Sequence, residues 1–154
     1  HDALPIFGGK PGWKYEPIFA RIDKSPKKSL IRYLGYIPEP DKPYLIKMAN
    51  LVGFPSFYEG FGFPALEAMA VGVPAIVSSV TSLPEAVDNA CIMVNPYNEI
   101  DLTKAMDQLI SDQSLRADCI KKGLERVKQF DWNSSANSIL KIFNNLEKLN
   151  EDRV

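Results

Sequence analysis

The sequence predicts an α/β fold, a parallel sheet covered by helices and followed by a helical carboxyl-terminal tail. Two observations predict it. Short, continuous apolar runs bounded by Gly or Pro alternate with longer stretches of helical period, the pattern of strands buried beneath helices. Beyond the last such run the period stays helical to the end of the chain.

The expected strands are Leu4–Phe7, Leu30–Leu34, Leu51–Phe54, Ala75–Ser78 and Cys91–Val94, each without polar alternation and so expected to be buried on both faces. Helices are expected between them near 12–23, 41–49, 64–71 and 82–87. Asp41 is the expected N-cap of the second, and Pro64 falls in the first turn of the third, where its missing N–H costs nothing. Three more helices follow. Asn98 and Asp101 have capping-box spacing ahead of a stripe of Leu102, Ala105, Met106, Leu109 and Ile110. The next carries Leu115, Cys119, Ile120, Leu124 and Val127; the last, capped by Asp131, carries Trp132, Ala136, Ile139, Leu140, Phe143 and Leu146. Stripes at this spacing predict core packing within the domain.

The chain has 154 residues, 45% of them apolar, which suffices for one domain with a full-sized core. The net charge of −1 conceals a gradient: residues 1–50 hold nine Lys/Arg against five Asp/Glu, and the remainder nine against fourteen. That imbalance is too small and too dispersed for nucleic acid, and fits one anionic ligand near the front. Cys91 and Cys119 lie in apolar stretches without metal-ligand spacing, as buried thiols of a reducing compartment do. No His/Cys/Asp spacing points to a metal, and His1 at the chain end is no candidate ligand. No run approaches the roughly 20 apolar residues of a membrane span and no signal peptide is visible, so a soluble cytoplasmic domain is expected. Because a strand-like Leu4–Phe7 begins almost at once, the chain reads as a segment whose earlier elements are missing.

The stretch from Pro55 to Ala70 carries the chemistry. It follows an expected strand, bends at Gly60 and Gly62, and enters a helix, so it belongs to the carboxyl edge of a parallel sheet, where ligands gather. Main-chain amides of Gly60, Phe61 and Gly62 at the helix start form a candidate anion cradle. Glu59, before the bend, and Glu67, inside the helix, can both reach one cleft, and a carboxylate suits the paired hydroxyls of a sugar. On spacing alone a plainer reading stands equally: the glycines only shape a tight turn, and the acids are solvated charges near a helix N-terminus.

Beyond spacing, Glu59-Gly60-Phe61-Gly62 with Pro64 and Leu66-Glu67-Ala68-Met69 resembles the E-x7-E signature of retaining GT-B glycosyltransferases, glycosyltransferase family 4. Leu34-Gly35-Tyr36-Ile37-Pro38, Gly72-Val73-Pro74-Ala75-Ile76-Val77, Leu83-Pro84-Glu85, Met93-Val94-Asn95-Pro96 and Phe130-Asp131-Trp132 resemble further segments of that family, in order, from about Leu4 to about Leu146. The resemblance implies that residues 1–154 are the Rossmann-like carboxyl-terminal half of a GT-B enzyme, without its first strand-helix unit and its amino-terminal acceptor domain.

The same resemblance implies roles. Glu59 would meet hydroxyls of the donor sugar, as stabiliser and not as an established nucleophile. Gly60, Phe61 and Gly62 would lie by the sugar and its phosphate, Glu67 would hold the ribose, and Tyr36 and Ile37 would border the base. Lys10, after Gly8-Gly9, is a candidate for the phosphates. The donor would be a UDP-, GDP- or ADP-sugar, with no other cofactor and no metal. The acceptor, whether sugar, lipid or protein, is unidentified. The partner would be an amino-terminal GT-B domain in cis or in another chain, through which the protein could sit peripherally on a membrane. The family's diphosphate-neutralising Arg and Lys precede this chain, so the chain alone should be inactive in hexosyl transfer. A non-catalytic binding or assembly module of the same fold is the alternative, and a sugar-nucleotide epimerase a distant third.

Overall fold

The computed structural model describes residues 5–151, with side chains described as far as residue 146; Leu4 and His1 lie outside that range. The described residues fall into two compact units divided between Tyr44 and Leu45.

In the first unit, β1 (Ile6–Gly8) and β2 (Arg32–Gly35) pair in parallel, with a register shift between Phe7 and Gly8. Helix α1 (Glu16–Asp23) connects them, and Phe19 on it meets the Tyr33 ring of β2 edge-on at 4.9 Å. The helix starts four residues later than its apolar content predicts. Lys14 has a left-handed φ of 59°, which no helix continues, and Pro17 in the first turn needs no N–H partner. Helix α2 (Lys42–Lys47) begins directly after Asp41 and leads into the second unit.

That unit holds the core. Strands β3 (Val52–Phe54), β4 (Ala75–Ser78) and β5 (Ile92–Val94) form a parallel sheet in sequential order. Helix α3 (Phe63–Ala70) links the first two and α4 (Leu83–Val87) the next. Then come α5 (Glu99–Ser111), α6 (Gln113–Val127) and α7 (Trp132–Glu151). The strands thus lie in two separately hydrogen-bonded sheets, and not in one ladder.

Among the described strands only β4 is buried throughout, since it alone of them has a paired strand on each side. Its alternating side chains divide the core: Ala75 and Val77 pack with Leu66, Met69, Leu83 and Val87, whereas Ile76 packs with Val94, Ala105, Leu109 and Cys119. Each fully buried Leu, Ile or Val contributes roughly 1.5–3 kcal/mol of transfer free energy. The expectation that every strand is buried on both faces fails for β1 and β2, which are largely exposed, for β3, which is half-buried, and for β5, whose Met93 is exposed.

Asn98 caps α5, accepting from the amides of Ile100 and Asp101; the reciprocal half of a capping box is absent because the Asn98 amide donates to Asn95 O instead. Asp131 caps α7 through the Ser134 amide at 2.8 Å and its hydroxyl at 2.9 Å. Hydrogen bonds from that amide, that hydroxyl and the Asn133 amide hold the Asp131 carboxyl below the ordinary aspartate range. Cys91 and Cys119 are free and buried, and burial pushes the Cys91 thiol up to about 12. The stripe of α7 overturns its expected packing: Trp132 is 81% exposed, and Ile139, Leu140, Phe143 and Leu146 are all more than half exposed. Helical spacing identifies an apolar face but not what covers it. Among the described residues no helix is long and apolar enough to cross a membrane.

Candidate functional site

The Pro55–Gly62 loop leaves the carboxyl end of β3 and delivers the chain to α3. Gly62 is the N-cap of α3 at φ 103°, with Pro64 in the first turn. A Cβ at Gly62 would collide with Leu83 Cδ2, so glycine is required here by dihedral angle and by a buried neighbour. A Cβ at Gly60 would meet nothing within 4 Å. The two glycines therefore differ: one fits the helix start against the core, the other borders open space.

Glu59 and Glu67 are both partly buried and lie in the same loop-helix segment, Glu67 on the second turn of α3. Among the described residues none accepts a hydrogen bond from the amides of Gly60, Phe61 or Gly62. An α-helix start of this kind offers N–H groups and the positive end of the helix dipole to an anion. Carboxylates beside it supply hydroxyl acceptors, so the segment combines the two chemistries that a phosphorylated sugar requires. Among the described residues no group of three or more His, Cys, Asp and Glu could hold a metal ion.

The other candidates lie together at the carboxyl end of the β1–β2 pair. Gly9, at φ 128°, donates its amide to Gly35 O at 2.8 Å, while Tyr33 Oη donates to Gly9 O at 2.8 Å. These bonds lay the glycine turn alongside the loop after β2. Lys10 Nζ then sits 4.8 Å from the centroid of the exposed Tyr36 ring, a cation–π contact. The Ile37 side chain lies so close over Gly8 that no Cβ would fit there. Three residues singled out in different parts of the sequence, Lys10, Tyr36 and Ile37, thus form one surface.

A family model described as Glycosyl transferases group 1 matches residues 4–126. The chain belongs to that family. This glycosyltransferase domain is 43% identical over 128 residues to O-antigen chain mannosyltransferase B of Escherichia coli, an alignment covering 82% of this chain and 33% of that protein. It therefore spans about a third of that relative's length. Among solved structures it resembles sucrose-phosphate synthase of Thermosynechococcus elongatus, with TM-score 0.81 and 26% identity over 94% of this chain and 38% of the other. It also resembles the Anabaena protein Alr3699/HepE in complex with UDP-glucose, with TM-score 0.82 and 20% identity over 91% and 40% of the two chains. The fold class expected from the sequence, Rossmann-like α/β of the GT-B type, is the one observed.

The glycosyltransferase domain also contains supporting contacts that motif reading missed. Ser78, fully buried at the end of β4, donates to Ser56 O; Thr81 Oγ1 accepts from the Glu59 amide at 3.2 Å; Ser82 Oγ donates to Glu59 O at 2.8 Å. The cluster Ser78-Ser79-Val80-Thr81-Ser82 was visible in sequence, but nothing local says which backbone its hydroxyls will meet. On the other side of the loop, Phe61 packs on Phe63 at 5.0 Å and edge-on against Phe130 at 5.5 Å. Arg126 lies over Phe130, its guanidinium 5.0 Å from the ring centroid, and donates to Ala86 O at 3.0 Å and Glu85 O at 2.6 Å, at the end of α4. Tyr58 is exposed, and Phe57 lies against Tyr97 at 4.9 Å between ring centroids.

Proposed function

We propose that this domain is the donor-binding half of a retaining glycosyltransferase of glycosyltransferase family 4, moving a hexose from a nucleoside-diphosphate sugar to an acceptor bound by an amino-terminal domain in cis or in another chain. The observation that carries this reading is the segment from Glu59 to Glu67, two carboxylates spanning a glycine-capped helix start at the carboxyl edge of a parallel sheet. Membership of the group 1 family supports it. So does the UDP-glucose held by a structural neighbour of the same fold.

In this reading Glu59 hydrogen-bonds sugar hydroxyls and steadies charge developing at the anomeric carbon. The amides of Gly60, Phe61 and Gly62 take the phosphate nearest the sugar, stabilising the departing diphosphate at a fixed dipole. Glu67 accepts from the ribose hydroxyls, Tyr36 and Ile37 border the base, and Lys10 adds positive charge for the phosphates. The configuration at the anomeric carbon is retained by attack on the face from which the diphosphate leaves. The apolar face of α7, with Trp132, Ile139 and Phe143, suits packing toward the amino-terminal domain. The chain alone then binds donor weakly and transfers no sugar, and the reducing cytoplasm suits its free thiols.

The mannosyltransferase named among the relatives makes GDP-mannose the first donor to test. Titration of the intact protein that carries this chain with GDP-mannose, UDP-glucose and ADP-glucose should show saturable binding of one of them. Glu67→Ala should weaken it about tenfold or more, the loss of hydrogen bonds to a charged acceptor. Indifference of the protein to all three at millimolar concentration would refute the reading.

A further inference from the structure

Glu59 is held by its backbone, from both sides, by two consecutive side chains. Thr81 Oγ1 accepts from the Glu59 N–H at 3.2 Å, and Ser82 Oγ donates to the Glu59 C=O at 2.8 Å. Ser78 fixes the loop three residues earlier through Ser56 O. The three hydroxyls come from the last residue of β4 and from the short stretch between β4 and α4, which the buried strand and the buried Leu83 anchor at its two ends.

Thr81 occupies this place at a φ of 57°. A β-branched residue in the left-handed region is a true outlier, because its Cβ crowds the following carbonyl. Glycine would adopt the same backbone without that cost but would bring no hydroxyl to the Glu59 amide. Strain of this sort persists only where the surroundings impose it, and it concentrates at functional sites. Here the strained residue is one whose side chain reaches a candidate sugar ligand.

We infer that Thr81 and Ser82 are positioning residues that fix the Glu59 carboxylate for the donor sugar, and so set the sugar selectivity of the site. The inference rests on the donor-site role proposed for Glu59. Holding the peptide groups on both sides of one residue fixes the direction of its Cα–Cβ bond. Recognition of a hydroxyl pair by a carboxylate depends on placement within fractions of an ångström. Loosening the clamp should weaken contact with the sugar and leave the nucleotide, held by other groups, unaffected.

The test is calorimetric titration of the intact protein with GDP-mannose and with GDP, or with UDP-glucose and UDP if that donor is the one bound. Thr81→Val keeps the branched shape and removes the hydroxyl; Thr81→Ser keeps the hydroxyl; Thr81→Gly removes hydroxyl and strain together. Thr81→Val and Glu59→Ala should each lower affinity for the sugar nucleotide about three- to tenfold, with affinity for the free nucleotide unchanged. Thr81→Ser should behave as the parent. Thr81→Gly should lose the same selectivity while melting at or above the parental temperature, a separation that a merely structural threonine would not produce. Parental selectivity in Thr81→Val alongside lost selectivity in Glu59→Ala overturns the positioning role. So does equal loss of both ligands together with a lowered melting temperature in Thr81→Val. Parental selectivity in Glu59→Ala instead refutes the donor-site role of Glu59, and this inference with it.

Discussion

Replacing Gly62 with alanine should destabilise the domain by an amount the geometry sets. At φ 103° the backbone lies beyond the left-handed well that L-residues tolerate, and entry into that well alone costs roughly 1–2 kcal/mol. The new Cβ also collides with Cδ2 of Leu83, a side chain with no exposed surface, and overpacking of that kind costs roughly 1–3 kcal/mol. The sum, roughly 2–5 kcal/mol, corresponds at about 2–4 °C per kcal/mol for a chain of this size to a fall in Tm of the order of 10 °C. Gly60→Ala, with open space around its Cβ, should stay within about 1 kcal/mol of the parent. Guanidinium and thermal unfolding followed by circular dichroism measure both. Combining Gly62→Ala with Leu83→Ala should cost less than the two single changes added, by about 1 kcal/mol, because the smaller side chain removes the collision. Parental stability of Gly62→Ala, or strict additivity in the double variant, would refute the argument from dihedral angle and contact.

Two further outcomes follow from the helices. Gly123 on α6 lies against Met69 of α3, where a Cβ would approach Met69 Cγ to 3.0 Å and its Cβ to 3.3 Å, so Gly123→Val should force the helices apart at a cost of roughly 1–3 kcal/mol, measurable by guanidinium unfolding. The depressed Asp131 carboxyl gives α7 a stabilising cap that is fully present above the ordinary aspartate value of 3.8 and is lost as pH falls through the lower folded value; far-ultraviolet circular dichroism should show that acid fraying of α7, and Asp131→Asn, which caps without titrating, should abolish the pH dependence.

Where local chemistry decides structure, the sequence was legible. Strand β4 coincides with the expected Ala75–Ser78, an apolar run that Pro74 bounds on its amino-terminal side. Asn98 and Asp131 act as caps as expected, since an N-cap is a contact between near neighbours. Pro64 marks the first turn of α3 for the same reason. Long-range relations were not legible. The stripe of α7 has the periodicity of a core helix, yet its apolar side chains are exposed, because a period records a face and not its neighbour. Lys10 and Tyr36 form one surface through a glycine turn whose hydrogen bonds join two strands. The hydroxyls of Thr81 and Ser82 were plain in the sequence, but their meeting with Glu59 depends on the sheet that brings two successive loops to one edge.

The contact of Arg126 with Phe130, and of Phe130 with Phe61, gives the motif loop a second support far along the chain. The guanidinium also grips the last carbonyls of α4, so one side chain braces both the helix that follows the hydroxyl stretch and the ring that closes over the glycine bend. The stiffness of the glycine bend is then inherited in part from the finish of α6, some sixty residues further along the chain, where no local reading of the loop would look for it.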